Sequence, residues 1–281
     1  MKILPLIILF SVIFLSKAQT RKEQIEIRQN KTRESKKWNT AIEALAQKKL
    51  NLEVEQKSIE VAVNKVSDTL RTVKIGKQEW MAENMAIKTF RNGELIAQSK
   101  TLDDWQKYNL LGEATWCYNG FIEGKDVLYN WYAVHDRKEI APIGYRISTI
   151  ADWESLANKI NPKYKDLKKL IEDVNEDNYI LSSQIAASVG LQLASVLDWF
   201  DSGEKEGTNY GGNDSIGFNA LPTGYLSLEW GFTYAGAGTC FWTKEGGRVW
   251  LGHDGGFGLG ISGEEYIKDM GEGYSIRCIK E

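Results

Sequence analysis

Apolar and polar positions change texture along the chain, and each change marks a boundary. Ile3 to Leu15 is an almost unbroken apolar run, with Lys2 before it and Ser16-Lys17-Ala18 after it. A positive start, an apolar stretch and small residues at the two positions a signal peptidase reads predict a secretory leader over residues 1–18, cleaved after Ala18. The alternative is an uncleaved anchor. The run has about 13 residues, short of the ~20 needed to span a bilayer. No cysteine follows it to carry a lipid, and the nearest later apolar stretch, Ala186 to Leu197, is interrupted by Ser188, Gln192 and Ser195. No membrane span is therefore expected once the leader is removed.

The next texture covers residues 19–66. Trp38, Ile42, Leu45, Leu52, Ile59, Val63 and Val66 fall on alternating steps of four and three, with Lys49 and Gln56 as polar interruptions. In a background of Lys, Glu and Gln this spacing predicts a helical, charged arm with a heptad-like seam. A competing pattern is present: Leu50-Leu52-Val54 and Ile59-Val61-Val63 alternate with period two, as strands do, but no Gly, Pro or Asn separates them. The helix is favoured. Such an arm packs on the domain, spaces it or self-associates.

From residue 67 onward the pattern is that of a folded domain, residues 67–281. Leu70 to Ile75 alternates like a strand, Gly76-Lys77 signals a turn, and Gln78 to Met85 continues beyond it. Thr149 and Asp152 form a capping signal for a helix whose Ile150, Trp153, Leu156, Ala157 and Ile160 share one face. A second helix is predicted over Lys165–Val174 and a third from Ser182 or Ser183. After Gly203, where 19 of the 26 glycines lie, short runs alternate with glycine turns: Phe218–Leu221, Gly224–Leu228, Cys240–Thr243, Val249–Leu251 and Tyr274–Ile279. Helices in the middle and strands at both ends predict an α+β fold. The Leu70–Ile75 and Tyr274–Ile279 strands are candidates to pair.

Charge sharpens the picture. Residues 21–66 hold 11 basic and 7 acidic side chains, whereas residues 67–281 hold 22 basic and 31 acidic. An acidic domain argues against nucleic acid, whose binding rests on Lys and Arg neutralising phosphates. The three cysteines, Cys117, Cys240 and Cys278, have no metal-ligand spacing. Export permits a disulfide, and an odd count leaves at least one thiol unpaired or intermolecular.

Several motifs carry a family likeness in order: Thr72-Val73-Lys74-Ile75-Gly76, Glu79-Trp80-Met81-Ala82-Glu83-Asn84-Met85, Leu128-Tyr129-Asn130-Trp131-Tyr132-Ala133-Val134, Pro142-Ile143-Gly144-Tyr145-Arg146, Gly217-Phe218-Asn219-Ala220-Leu221-Pro222-Thr223-Gly224-Tyr225 and Tyr274-Ser275-Ile276-Arg277-Cys278. Over roughly residues 70–281 the chain resembles the Fibrobacter succinogenes major paralogous domain. That resemblance implies a C-type-lectin-like domain of two helices, small antiparallel sheets and long Gly-rich loops, with adjacent termini in one sheet. It also implies an exported or surface protein of the kind found in Bacteroidetes. Cys117 stands at a family cysteine position, and Ala141 replaces a cysteine that many members have. The likeness therefore implies a Cys117–Cys278 disulfide, with Cys240 as a buried small residue.

Catalytic chemistry is not expected. His135 and His253 have no neighbouring Cys, His or carboxylate in a metal or triad spacing, and no hydrolase, zinc-protease or phosphate-loop motif occurs. The triplets with which C-type lectins hold calcium are missing. Asp198, Asp201, Glu204, Glu206, Asn209, Asn213 and Asp214 make an oxygen-rich stretch of the kind hard cations require, but it lacks the register of a known calcium loop, so a solvated acidic loop and no cofactor are expected, with a calcium site as the alternative. Tyr225, Trp230, Phe232, Tyr234, Trp242 and Trp250 populate the Gly-rich half. Aromatic faces stack on sugars and apolar groups. Trp242 sits in a strand motif and is expected in the core, while Trp230 and Tyr234 are the candidates for ligand contact. The expected function is an exported, non-catalytic binding or adhesion module of the cell envelope or surface, located in the periplasm, at the cell surface or outside the cell. Its ligand would be a glycan or a protein. A structural envelope protein and a degenerate relative of sulfatase-modifying-factor-like enzymes are the alternatives.

Overall fold

The computed structural model describes residues 4–172, 175–200, 211–253, 257–262 and 271–281. The chain divides into two compact units, Met1–Ser58 and Ile59–Glu281. The first is helical throughout its described length, within α1 (Leu4–Thr69). No Gly or Pro lies between Leu6 and Thr69, so nothing local breaks the helix, and the period-two alternative is not realised. Trp38, Ile42, Leu45 and Leu52 are exposed on it. The side chains of Ile59, Val63 and Val66 lie outside the described set. Among the described residues no helix is long and apolar enough to cross a membrane.

The second unit is α+β with small antiparallel and mixed sheets. In chain order it contains β1 (Thr72–Ile75), β2 (Gln78–Met81), β3 (Ala97–Gln98), α2 (Leu102–Leu111), β4 (Thr115–Tyr118), β5 (Val127–Tyr129), α3 (Trp131–His135) and β6 (Tyr145–Ile147). Then come α4 (Ile150–Ile160), α5 (Leu167–Glu172), α6 (Glu176–Leu193), β7 (Thr223–Ser227), β8 (Gly231–Ala235), β9 (Gly238–Trp242), β10 (Arg248–His253), β11 (Phe257–Ser262) and β12 (Cys278–Lys280). The strands form sheets ordered β1-β2-β12-β6, β11-β10-β9-β7-β8 and β3-β4-β5. The first and last strands share a sheet, but they do not pair as the sequence suggested. β2 lies between them, because the tight turn at Gly76 folds β2 back on β1 and leaves β2's other edge to receive Ile279 opposite Trp80. Phe218–Leu221 is not a strand; only Ala220 bridges, to Ala194.

The α4 helix begins as its local sequence requires. Thr149 Oγ1 accepts from the Asp152 amide at 3.1 Å, and Asp152 accepts from the Thr149 amide at 2.8 Å. Arg146 forks onto both carboxylate oxygens, at 2.5 and 2.9 Å. The buried face of α4 then carries Trp153, Leu156 and Ala157 into a core with Trp80, Phe218 and Phe241. The Trp80 and Trp153 rings are 4.9 Å apart, close enough for the edge and offset contacts that aromatic pairs prefer. Burial pushes the Asp152 carboxyl up, but Arg146 and Thr149 outweigh it and hold it below its ordinary value of 3.8. Its contribution is complete above that value and is lost as the pH falls through the lower folded one. Asp152→Ala is expected to cost about 2 kcal/mol at pH 7, by loss of the cap and the ion pair. Urea titrations should show the gap to the parent protein closing below about pH 4. A gap that stays constant down to pH 2.5 would sink this assignment.

The glycine-rich half forms the five-stranded sheet. One face of β9 and β10 gives Phe241, Val249 and Leu251 to the core under α4 and α6. The other gives Cys240, Trp242 and, partly buried, Trp250 to a second core with Tyr129, Tyr274 and Cys278. Trp242 is buried as expected, its indole donating to the Tyr129 carbonyl at 2.7 Å.

The expected Cys117–Cys278 bond is absent. All three cysteines are free and buried. The two sides of β4 explain why. Trp116 faces the second core, whereas Cys117, one residue on, faces a third cluster with Trp105, Leu128 and Leu226. Cys278 belongs to the second core, its Sγ 3.7 Å from Met85 Sδ. Burial pushes all three thiols up, which leaves them protonated and inert at neutral pH.

Candidate functional site

The β7–β8 hairpin carries both residues singled out for ligand contact. Ser227 pairs with Gly231, leaving Leu228, Glu229 and Trp230 as a three-residue loop. Gly231 has φ +70°, the left-handed residue this loop length calls for. Ser227 Oγ accepts from the amides of Glu229 and Trp230, at 3.2 and 3.4 Å. Held this way, Trp230 is 71% exposed.

Tyr234 is set by a different device. It has φ +59° inside a strand, opposite Gly224 at φ +65°. A non-glycine residue in this region is strained, and such strain gathers at functional positions. The Tyr234 ring stacks on Tyr225, with centroids 5.9 Å apart and an angle of 12°. Both rings meet the Trp250 indole edge-on, Tyr234 at 5.0 Å and Tyr225 at 6.1 Å. Trp250 in turn lies against Gly238 and Gly252, where a Cβ would come within 2.1 and 2.4 Å of its ring. Glycines in these strands thus make room for an indole, and the indole supports the tyrosines.

Trp230 and Tyr234 come together as walls of one groove. It has a volume of about 710 Å³ and also takes in Phe200, Tyr225, Thr233, Ala235 and Ala237. A second hollow of about 300 Å³ shares Trp230 and Tyr225 with the first and is also lined by Ser227, Glu229, Arg248 and Glu272. Tyr274 ties its charges together: its hydroxyl accepts from Arg248 Nη1 at 3.5 Å and donates to Glu272 Oε2 at 3.2 Å. Burial pushes the Tyr274 phenol up, so it remains a donor at neutral pH. Arg248 and Glu272 were not legible as site residues, since nothing local marks them.

A concavity of similar size, about 730 Å³, lies beside α3, with Phe90, Leu95, Trp131, His135 and Lys138 in its walls. Several of its polar groups are engaged, although the buried Trp131 Nε1 has no hydrogen-bond partner among the described residues. Lys138 holds Glu94 at 2.7 Å. The two His135 ring nitrogens face the carbonyls of Trp131 and Lys244 at 2.9 and 3.1 Å, and its ring stacks on Trp131 at 4.0 Å. Burial holds the His135 pKa below its usual value. The neighbouring Asn130 is fully buried. Its amide oxygen accepts from the amides of Thr115 and Ala133, and its nitrogen donates to Asn109 and the Glu113 carbonyl. This motif is a structural joint.

Among the described residues no group of three or more His, Cys, Asp or Glu could hold a metal ion. Of the oxygen-rich stretch, Asp201, Glu204, Glu206 and Asn209 lie outside the described residues. Asn213 and Asp214 are used locally, accepting from the amides of Ser215 and Asn219. Gly252 and His253 belong to β10 and pair with Gly258 and Phe257.

The family model for the Fibrobacter succinogenes major domain matches residues 73–280. No curated protein and no solved structure matches the chain.

Proposed function

The chain belongs to the Fibrobacter succinogenes major domain family, and from that premise we propose that it is an exported, non-catalytic binding module of the cell envelope or surface. Its fold is C-type-lectin-like, a reading supported by the first and last strands sharing one sheet. Export is supported by the leader pattern of residues 1–18. The observation that carries the binding role is Trp230, 71% exposed at the edge of the aromatic groove. An indole held in water by its own loop gains by stacking on a ligand. The ligand is a glycan or a protein surface, and binding does not require calcium.

A glycan and envelope-protein array probed with the purified protein, in calcium and in EDTA, tests this. Binding is expected in both buffers, with Trp230→Ala weakening it about tenfold or more, equivalent to about 1.4 kcal/mol. Binding that survives the substitution intact, or a blank array, would remove the recognition role and leave a structural envelope protein.

A further inference from the structure

We propose that the Trp230 groove takes a neutral oligosaccharide chain of two or more units, lying across the indole with its hydroxyls held by Glu229, Arg248 and Glu272. This rests on the binding role proposed above and narrows its ligand to one class.

The first support is shape. Trp230 and Tyr225 line both hollows, so the two are neighbouring compartments that share these two side chains. Their volumes, about 300 and 710 Å³, fall in the range of small-molecule sites, roughly 300–1,000 Å³. A ligand that fills both meets the exposed indole of Trp230, and a chain of linked rings is long enough to occupy the two together.

The second support is the difference between the compartments. Phe200, Tyr234, Ala235 and Ala237 line the larger one, and this wall suits the C–H faces of sugar rings. Two carboxylates, a guanidinium and a serine hydroxyl line the smaller one. Carboxylates accept from paired hydroxyls, and a guanidinium donates to hydroxyl and ring oxygens. The link through Tyr274 orders Arg248 and Glu272 before any ligand arrives, and preorganisation of this kind lowers the cost of binding.

The third support is charge. The smaller compartment holds two acidic groups to one basic group, and the domain around it carries 31 acidic against 22 basic residues over 67–281. A polyuronate or sulfated chain would meet repulsion of like charge. A neutral chain meets none.

The test is calorimetry on the full purified protein with cellotetraose, xylotetraose, mannotetraose and the N-acetylglucosamine tetramer, their monosaccharides, and tetragalacturonate. At least one neutral tetramer is expected to bind, with its monosaccharide weaker by about tenfold or more and tetragalacturonate showing no binding. Trp230→Ala should abolish that binding with no change in thermal melting, since the side chain is exposed. Glu272→Gln should weaken it about tenfold. The proposal is overturned if no neutral tetramer binds, if tetragalacturonate binds tightest, or if a monosaccharide binds as well as its tetramer. If no sugar binds but an envelope protein is captured, and that capture is lost in Trp230→Ala, the recognition surface stands and the oligosaccharide assignment falls. If Trp230→Ala alters neither, both fall.

Discussion

Arg277→Met is expected to destabilise the folded domain by about 3–5 kcal/mol, through buried acceptors left without donors, a larger loss than from the other substitutions. Arg277 is fully buried. Its Nε donates to Asn84 Oδ1 at 2.7 Å, Nη1 to the carbonyls of Met81 at 2.9 Å and Phe218 at 2.7 Å, and Nη2 to the Asn219 carbonyl at 2.9 Å. The guanidinium lies 4.5 Å from the Phe218 ring. It has no ion pair among the described residues; Asp214, Glu83 and Asp126 favour its charge from a distance. Burial pulls its pKa down to about 9, so it is charged at neutral pH. Methionine fills the volume but leaves four acceptors without donors. Each costs about 1–3 kcal/mol if water cannot reach it, partly offset because a charge no longer has to be desolvated. Arg277→Lys, with fewer donors and no fork, should lose about half as much. Urea unfolding followed by tryptophan fluorescence measures both. A loss under about 1 kcal/mol for Arg277→Met would mean that the three chain segments are held by something else.

Gly224→Ala is the second large effect, about 2–4 kcal/mol, and it should act on the groove directly. Gly224 has φ +65°, and a Cβ there would lie 2.3 Å from the Thr233 carbonyl oxygen and 2.6 Å from the Ala235 nitrogen. Both obstacles are backbone, so the β7–β8 pair must part to admit one methyl group. Tyr234 lies between those two residues, and its stacking on Tyr225 should be lost. Hydrogen exchange should report faster opening at Thr233–Ala235, and urea unfolding the global loss. Gly238→Ala provides the contrast. Its Cβ would meet the far end of the Trp250 ring, at 2.1 Å, and an indole can turn where a strand cannot. That substitution should cost less stability while still disturbing the groove floor. If Gly224→Ala proves the milder of the two, the argument from backbone overlap is wrong.

Features that depend on near neighbours were legible in the sequence. Thr149 and Asp152 announced the start of α4, and the cap is present with Arg146 added from β6. The steps of four and three over residues 38–66, interrupted at Lys49 and Gln56, announced a helix, and α1 contains them. Glycine turns bounded most strands of the second half, though β8 and β11 were missed. So was α2, despite the Thr101 cap and Gly112 at φ +70°, because its apolar face is short. The α6 helix begins at Glu176, earlier than the serines suggested, and it is its later part, through Ile185, Val189 and Leu193, that packs on the core.

Only the tertiary structure decided what depends on faces and distances. Cys117 and Cys278 are each plausible partners in sequence, yet the side of β4 that Cys117 occupies places it in a different cluster from Cys278. Trp230 and Tyr234 could be named from composition, but their joining with Tyr225, Trp250, Arg248 and Glu272 required three stretches of chain to meet. Arg277 looked like one letter of a terminal motif. In the fold it bonds to the strand that ends at Met81, to Asn84 and to the Phe218–Asn219 loop, which lie 196, 193 and up to 59 residues away. Caps, turns and periodicity are set by neighbours a few residues apart, and the sequence alone determines them. The donors that satisfy a buried carbonyl, and the ring that fills the space over a glycine, come from wherever the chain returns, and only the folded chain determines that.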